Sequence, residues 1–230
     1  MKKLYILVNK DLKIGKGKFA GQSSHASWTY AIKSTKLSQE NLLDLANNED
    51  LIEYIYLSQE TLEAIEKTNS YITISDKGLT QLQPNSLTCI ALGYMTEEEK
   101  DILLNEFDNN IFTLNKEIIS SIEKGSDCNL AMYIIVNNNI SFTKEYLAKY
   151  VSTTMFKLHN EHNYSTKILK DYMVAQKKIV LKCDEELLNN IDTSNAHVIM
   201  KDDKILCINI GIYEKSEVQD FVKTLKLYSK

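Results

Sequence analysis

Apolar and polar positions alternate along this chain in two registers. Leu4–Val8 (LYILV) and Tyr133–Val136 (YIIV) are short apolar runs closed by polar residues, Asn9 and Asn137. Ile52–Leu57 (IEYIYL) and Tyr71–Ile74 (YITI) are rich in β-branched and aromatic residues, the composition of strands. Glu60–Lys67 and Glu185–Ile191 instead space their apolar residues as a helix does. Strands and helices that alternate in this way predict an α/β fold with a small mixed sheet flanked by helices.

The pattern occurs twice. Displaced by 128 positions, Tyr5–Asn9 (YILVN) falls on Tyr133–Asn137 (YIIVN), Leu12 on Ile140, Lys16 on Lys144 and Ala20 on Ala148. With smaller shifts Tyr56-Leu57 meets Val180-Leu181, and Leu87–Gly93 (LTCIALG) meets Ile205–Gly211 (ILCINIG). Each copy reads as strand, loop, two helices, strand, helix, strand, turn, strand. The expected domains are residues 1–108 and 129–230. Residues 109–128 form a junction, with a helix around Lys116–Glu123 that stops at Gly125-Ser126.

The copies differ where polar groups stand. Lys18, Gln22 and His25 in the first become Tyr146, Tyr150 and Thr153 in the second, and the loop between Asp76 and Leu87 shrinks to Asp203-Lys204. One working site and one structural partner are expected.

Composition narrows the reading. A chain of 230 residues that is 43% hydrophobic and 25% charged can bury full cores. The net charge is -4, yet Lys2 to Lys36 hold eight lysines against Asp11, and a local phosphate site survives on such a basic end. There is no arginine, which removes bidentate guanidinium clamps from any mechanism. The opening MKKLYILV is cut short by Asn9-Lys10-Asp11, too soon for a secretory leader, and no run approaches membrane-spanning length. Cys89, Cys128, Cys183 and Cys207 form no Cys-x-x-Cys pair, which points to a reducing cytoplasm and away from a disulfide framework. Cys89 and Cys207 coincide inside apolar runs and read as core.

The candidate chemistry lies in DLKIGKGKFAGQSSHA, residues 11–26. Its Gly15-x-Gly17-x-x-Ala20 pattern comes six residues after the strand, too late for a dinucleotide fingerprint, and no phosphate-loop Gly-Lys-Ser/Thr follows. Gly17, with Lys16 and Lys18 at a helix start, can still attract an anion. Lys18, Gln22 and His25 stand at i, i+4 and i+7 on one helix face, either to hold a substrate or as a plain polar surface stripe. Asp76-Lys77-Gly78-Leu79-Thr80-Gln81 follows a strand and carries a carboxylate and a hydroxyl, although turn chemistry alone accounts for Asp and Gly. His159 and His162 lack a third ligand at a persuasive spacing, so a solvated helix end is expected there and no metal site.

Together these segments resemble the type-II (archaeal and eukaryotic type) peptidyl-tRNA hydrolase family. The shared features are the strand, Asp11, the Gly-Lys-Gly-Lys loop, Gln22 and His25-Ala26. Asp76-x-Gly78-x-Thr80-Gln81 and Pro84-x-Ser86 then lead into the last core strand. The first copy matches along nearly its whole length. The second keeps the strands and a family-like end, FVKTLKLY. The resemblance implies a four-stranded mixed sheet in each copy and hydrolysis of the ester between a peptide and the terminal ribose of tRNA, with no metal or organic cofactor. It assigns catalysis to Lys18 and Asp76, with Thr80 and His25 beside them, and substrate binding to Lys16, Gly17, Gln22, Gln81 and Ser86. Family members pair as homodimers, so the tandem copies are expected to act as a pseudo-dimer within one chain. Departures are Asn9 in place of an arginine, Gly21-Gln22-Ser23 in place of Ala-Gln-Cys, and Lys77 in place of an alanine. The alternatives are a non-catalytic tRNA-binding or scaffold protein of the same fold, and an esterase acting on another acylated carrier.

Overall fold

The structure, a computed structural model, describes residues 1–34, 36–68, 71–76, 82–109, 129–161, 166–175 and 177–228. Thr80, Gln81, Lys77, Cys128, His162 and the helix expected around Lys116–Glu123 lie outside the described residues. The chain divides into two compact units, Met1–Ile14 with Gln22–Ser120, and Gly15–Gly21 with Ser121–Lys230.

The first half runs β1 (Lys2–Asn9), α1 (Lys16–Lys33), α2 (Gln39–Asn47), β2 (Ile52–Leu57), α3 (Gln59–Glu66), β3 (Ile72–Asp76), β4 (Ser86–Thr96) and α4 (Glu97–Asp108). Its sheet has the order β2-β1-β4-β3; β1 and β2 are parallel, while β4 runs antiparallel to β1 and β3. β1 is central and buried from Leu4 to Asn9, so its sequence reads as a continuous apolar run. Tyr5 and Leu7 pack with Leu62 and Ile65 of α3 and Phe107 of α4. Thr96 starts α4 with a capping box to Glu99, satisfying free amides of the first turn.

The second half repeats this order as β5 (Leu130–Asn137), α5 (Lys144–Glu161), α6 (Thr166–Ala175), β6 (Lys177–Cys183), α7 (Glu185–Asn189), β7 (His197–Lys201) and β8 (Lys204–Glu214). α8 (Asp220–Thr224) and β9 (Lys226–Leu227) follow. The sheet order is β7-β8-β5-β6-β9, so the expected four strands become five. The added strand pairs Leu227 with Leu181 and Lys226 with Lys182. Two residues are too short for an alternation to announce a strand.

Strand register fixes the repeat residue by residue. Val8 faces Cys89 as Val136 faces Cys207, which confirms the matched cysteines. Tyr5 faces Gly93 and Tyr133 faces Gly211, with a bulge after each tyrosine and a positive φ at each glycine (138° and 103°). Asn9 pairs with Leu57 but Asn137 pairs with Cys183, so Tyr56-Leu57 corresponds to Lys182-Cys183 and not to Val180-Leu181. A slip of two residues preserves which face each side chain occupies, so hydrophobic alternation could not detect it. The shrunken loop is likewise moved by one position. Lys201 pairs with Lys204, and Asp202-Asp203 make the turn with φ of 50° and 59°, the left-handed pair a two-residue hairpin requires.

Candidate active site

Among the candidate residues of the first half, Asp76 and Ser86 stand at strand ends, while Gln22 and His25 lie within α1. Asp76 is the last residue of β3 and pairs in register with Ser86 at the start of β4. It is 5% exposed. The backbone closes beneath it: the Asn85 amide donates to the Asp76 carbonyl (2.7 Å), and Asn85 takes a φ of 66°, which asparagine tolerates in turns.

From α1, Gln22 reaches this carboxylate. Its Nε2 donates to Asp76 Oδ2 at 2.7 Å. Thr88, buried on β4, gives its hydroxyl proton to the Ile74 carbonyl (2.8 Å) and lies 3.4 Å from Gln22 Oε1. The shorter contact carries the bond. A neutral amide that donates to a carboxylate fixes its direction without bringing an opposing charge.

His25 lies one turn further along α1 and is 8% exposed, so the face it shares with Gln22 is not a solvated stripe. Ser86 donates from Oγ to the Gln83 carbonyl (2.8 Å). Lys16, Gly17 and Lys18 open α1 and group with the second unit. There Lys16 donates from Nζ to the Phe142 carbonyl (2.5 Å). A Cβ on Gly17 would sit 1.8 Å from the Tyr228 carbonyl oxygen, so only glycine fits. Asp11 accepts from the Gln59 amide at 2.8 Å and so caps the N-terminus of α3.

Two buried polar residues of the first half were given no role by the sequence reading. Thr88 lay hidden inside the apolar LTCIALG. Asn9, where the family resemblance expected arginine, is 4% exposed, donates from Nδ2 to the Leu87 carbonyl (2.9 Å) and accepts from the Asp11 amide (3.0 Å). Asn137 repeats both bonds, to the Ile205 carbonyl (2.8 Å) and from the Asn139 amide (2.9 Å). The repeat itself carried that signal: one polar residue kept at the end of two apolar strands. His159 corrects another expectation. It is half-buried, and that burial lowers its pKa from the usual imidazole value. Among the described residues no group of three or more His, Cys, Asp or Glu is placed to hold a metal ion, and no helix is long and apolar enough to cross a membrane.

The fold defines a duplicated α/β protein, and in its first half Gln22, Asp76 and Thr88 form a polar cluster. Comparison with known proteins gives the lineage. The model of the family described as peptidyl-tRNA hydrolase PTH2 matches residues 2–108 and again 130–228. A peptidyl-tRNA hydrolase of Thermoplasma acidophilum is 32% identical over 118 residues, covering 97% of that protein and 46% of this chain. Those of Sulfolobus acidocaldarius (30% over 110 residues, 92% of that protein and 43% of this chain) and Saccharolobus solfataricus (31% over 123 residues, 97% and 46%) are similar in the same degree. The chain belongs to the peptidyl-tRNA hydrolase PTH2 family.

Proposed function

We propose that this chain hydrolyses the ester joining a peptide, or an N-blocked aminoacyl group, to the terminal ribose of tRNA, and so recycles peptidyl-tRNA. The observation that carries the reading is the buried Asp76 carboxylate aimed by the Gln22 amide, inside a chain that matches the family twice.

In this reading Asp76 orients or deprotonates the attacking water, with Thr80 assisting. Lys18 stabilises the oxyanion of the tetrahedral intermediate. His25 supports the network or passes a proton, and Lys16, Gly17, Gln22, Gln81 and Ser86 contribute to substrate binding, Gln22 also aiming Asp76. No metal or organic cofactor is needed, because a positioned carboxylate and an ammonium donor supply both requirements of acyl transfer. Residues 1–108 form the working domain, residues 109–128 a linker, and residues 129–230 a structural copy that replaces a second subunit. The three described cysteines, Cys89, Cys183 and Cys207, are free and buried, which suits a cytoplasmic protein.

The test is turnover of peptidyl-tRNA by the purified chain and by Lys18→Ala and Asp76→Asn. Losing one such group costs about a hundredfold or more in kcat. Unchanged turnover in both variants overturns the assignment. Full activity on a simple acyl ester with none on peptidyl-tRNA replaces the substrate.

A further inference from the structure

Position for position, the second copy does not merely lose the polar face; it replaces it. Tyr146 and Tyr150 stand on α5 where Lys18 and Gln22 stand on α1. Their rings are stacked, with centroids 6.1 Å apart and planes 28° from parallel. Phe142 packs edge-on against Tyr150 (6.0 Å, 72°), which fixes the lower ring. Tyr150 is 6% exposed and serves as the base, while Tyr146 is 47% exposed and presents its ring to solvent. The Lys149 ammonium lies 5.4 Å from the Tyr146 ring centroid.

An exposed large aromatic costs solubility and, as core, gains nothing. Here it stacks on a second ring, and the Lys149 ammonium lies over it. The strand position that carries Asp76 in the first copy carries Lys201 in the second, so the carboxylate has become an ammonium. The turn aspartates Asp202 and Asp203 offset that charge locally, so electrostatics alone would give weak attraction. A flat ring with the Lys149 ammonium against it suits an unpaired nucleobase with its phosphate. Every base has a π-face, and stacking tolerates any sequence.

We propose that the Tyr146–Tyr150 stack, with Lys149, is a platform on which the second copy binds an unpaired base of single-stranded RNA. This rests on the hydrolase reading only for the identity of the strand, the unpaired end of the substrate tRNA. The platform itself stands on the stacked rings and the neighbouring lysine.

The experiment is fluorescence anisotropy of the full chain against a short end-labelled single-stranded oligoadenylate, alongside peptidyl-tRNA turnover. Tyr146→Ala weakens strand binding about five- to a hundredfold. Tyr146→Phe, which keeps the ring, retains it. The salt slope is unchanged in Tyr146→Ala but falls in Lys149→Gln, because only the lysine releases counterions. A fully paired RNA duplex binds equally to wild type and Tyr146→Ala. Wild-type affinity in Tyr146→Ala with an unaltered circular dichroism spectrum overturns the platform. Absence of strand binding by the wild type also overturns it and turns the aromatic face toward a protein segment. The two readings separate cleanly. Asp76→Asn should lose turnover and keep strand binding, and a wild type without turnover whose strand binding depends on Tyr146 retains the platform and loses the hydrolase.

Discussion

In the proposed hydrolase, Gln22 aims the Asp76 carboxylate. It brings no charge, only a donor 2.7 Å from Asp76 Oδ2. Gln22→Leu removes that donor while filling its volume, and the buried carboxylate then loses direction. The expected outcome is a fall in kcat of about ten- to a hundredfold with KM little changed, because aim matters to the transition state more than to substrate binding. Steady-state kinetics checks this, and a matching rise in KM with kcat intact would assign Gln22 to binding instead. The buried thiols carry a different prediction. Burial pushes Cys89 and Cys207 up to about 12 from an ordinary value of 9, with small opposing contributions from the Thr88 contact and the Lys157 charge. In the unfolded chain these thiols ionise near pH 9. Their contribution to stability is therefore fully present below pH 9 and is lost as pH rises toward 12. Urea midpoints measured across that window should fall steeply, and Cys89→Ala should flatten the decline.

At the scale of elements, the bulges are the most informative parts of the sheets. Gly93 sits opposite Tyr5 at a φ of 138°, where a Cβ would meet the Met95 methyl at 3.0 Å and the Tyr30 hydroxyl at 3.4 Å. Tyr30 itself accepts from the Tyr94 amide at 3.0 Å, tying α1 to the bulge. Gly93→Ala should destabilise the first unit by about 1–3 kcal/mol through backbone strain, read as a lower urea midpoint. A neutral result would mean the bulge relaxes. The same elements show what could be read from sequence. The apolar runs gave β1, β4, β5 and β8, and Ile52–Leu57 gave β2 to the residue, because buried strands advertise themselves by composition. Asp76 and the face of α1 were named from the sequence, although turn chemistry alone accounts for an aspartate after a strand; the Gln22–Asp76 bond is what the fold adds. Thr88 and Asn9 were not legible, because their roles are hydrogen bonds to backbone carbonyls far away in sequence. The two-residue offset of β6 and the brief β9 escaped for the same physical reason: pairing is set by partners, and a strand's own pattern is silent about which partner it takes.

For the whole molecule the question is how an acidic chain without arginine holds a polyanion. The net charge of -4 repels RNA at long range, so attraction must come from local lysines acting within roughly 8 Å at physiological salt. Lysine contacts are point charges that displace counterions and add no bidentate geometry. Affinity for peptidyl-tRNA should therefore fall linearly in log Kd against log salt, with a slope near 0.7–0.9 per phosphate neutralised. Chemistry at the buried Asp76 should respond less, so kcat at saturating substrate holds while kcat/KM drops. Lys10 and Lys13 are exposed in the segment after β1 and make the sharpest probe. Replacing both with glutamine should lower the slope by up to about 2 without touching kcat, if each meets one phosphate. A slope that stays flat in the wild type would mean that the chain does not grip a nucleic acid backbone, and the ester it cleaves would belong to a small acyl compound.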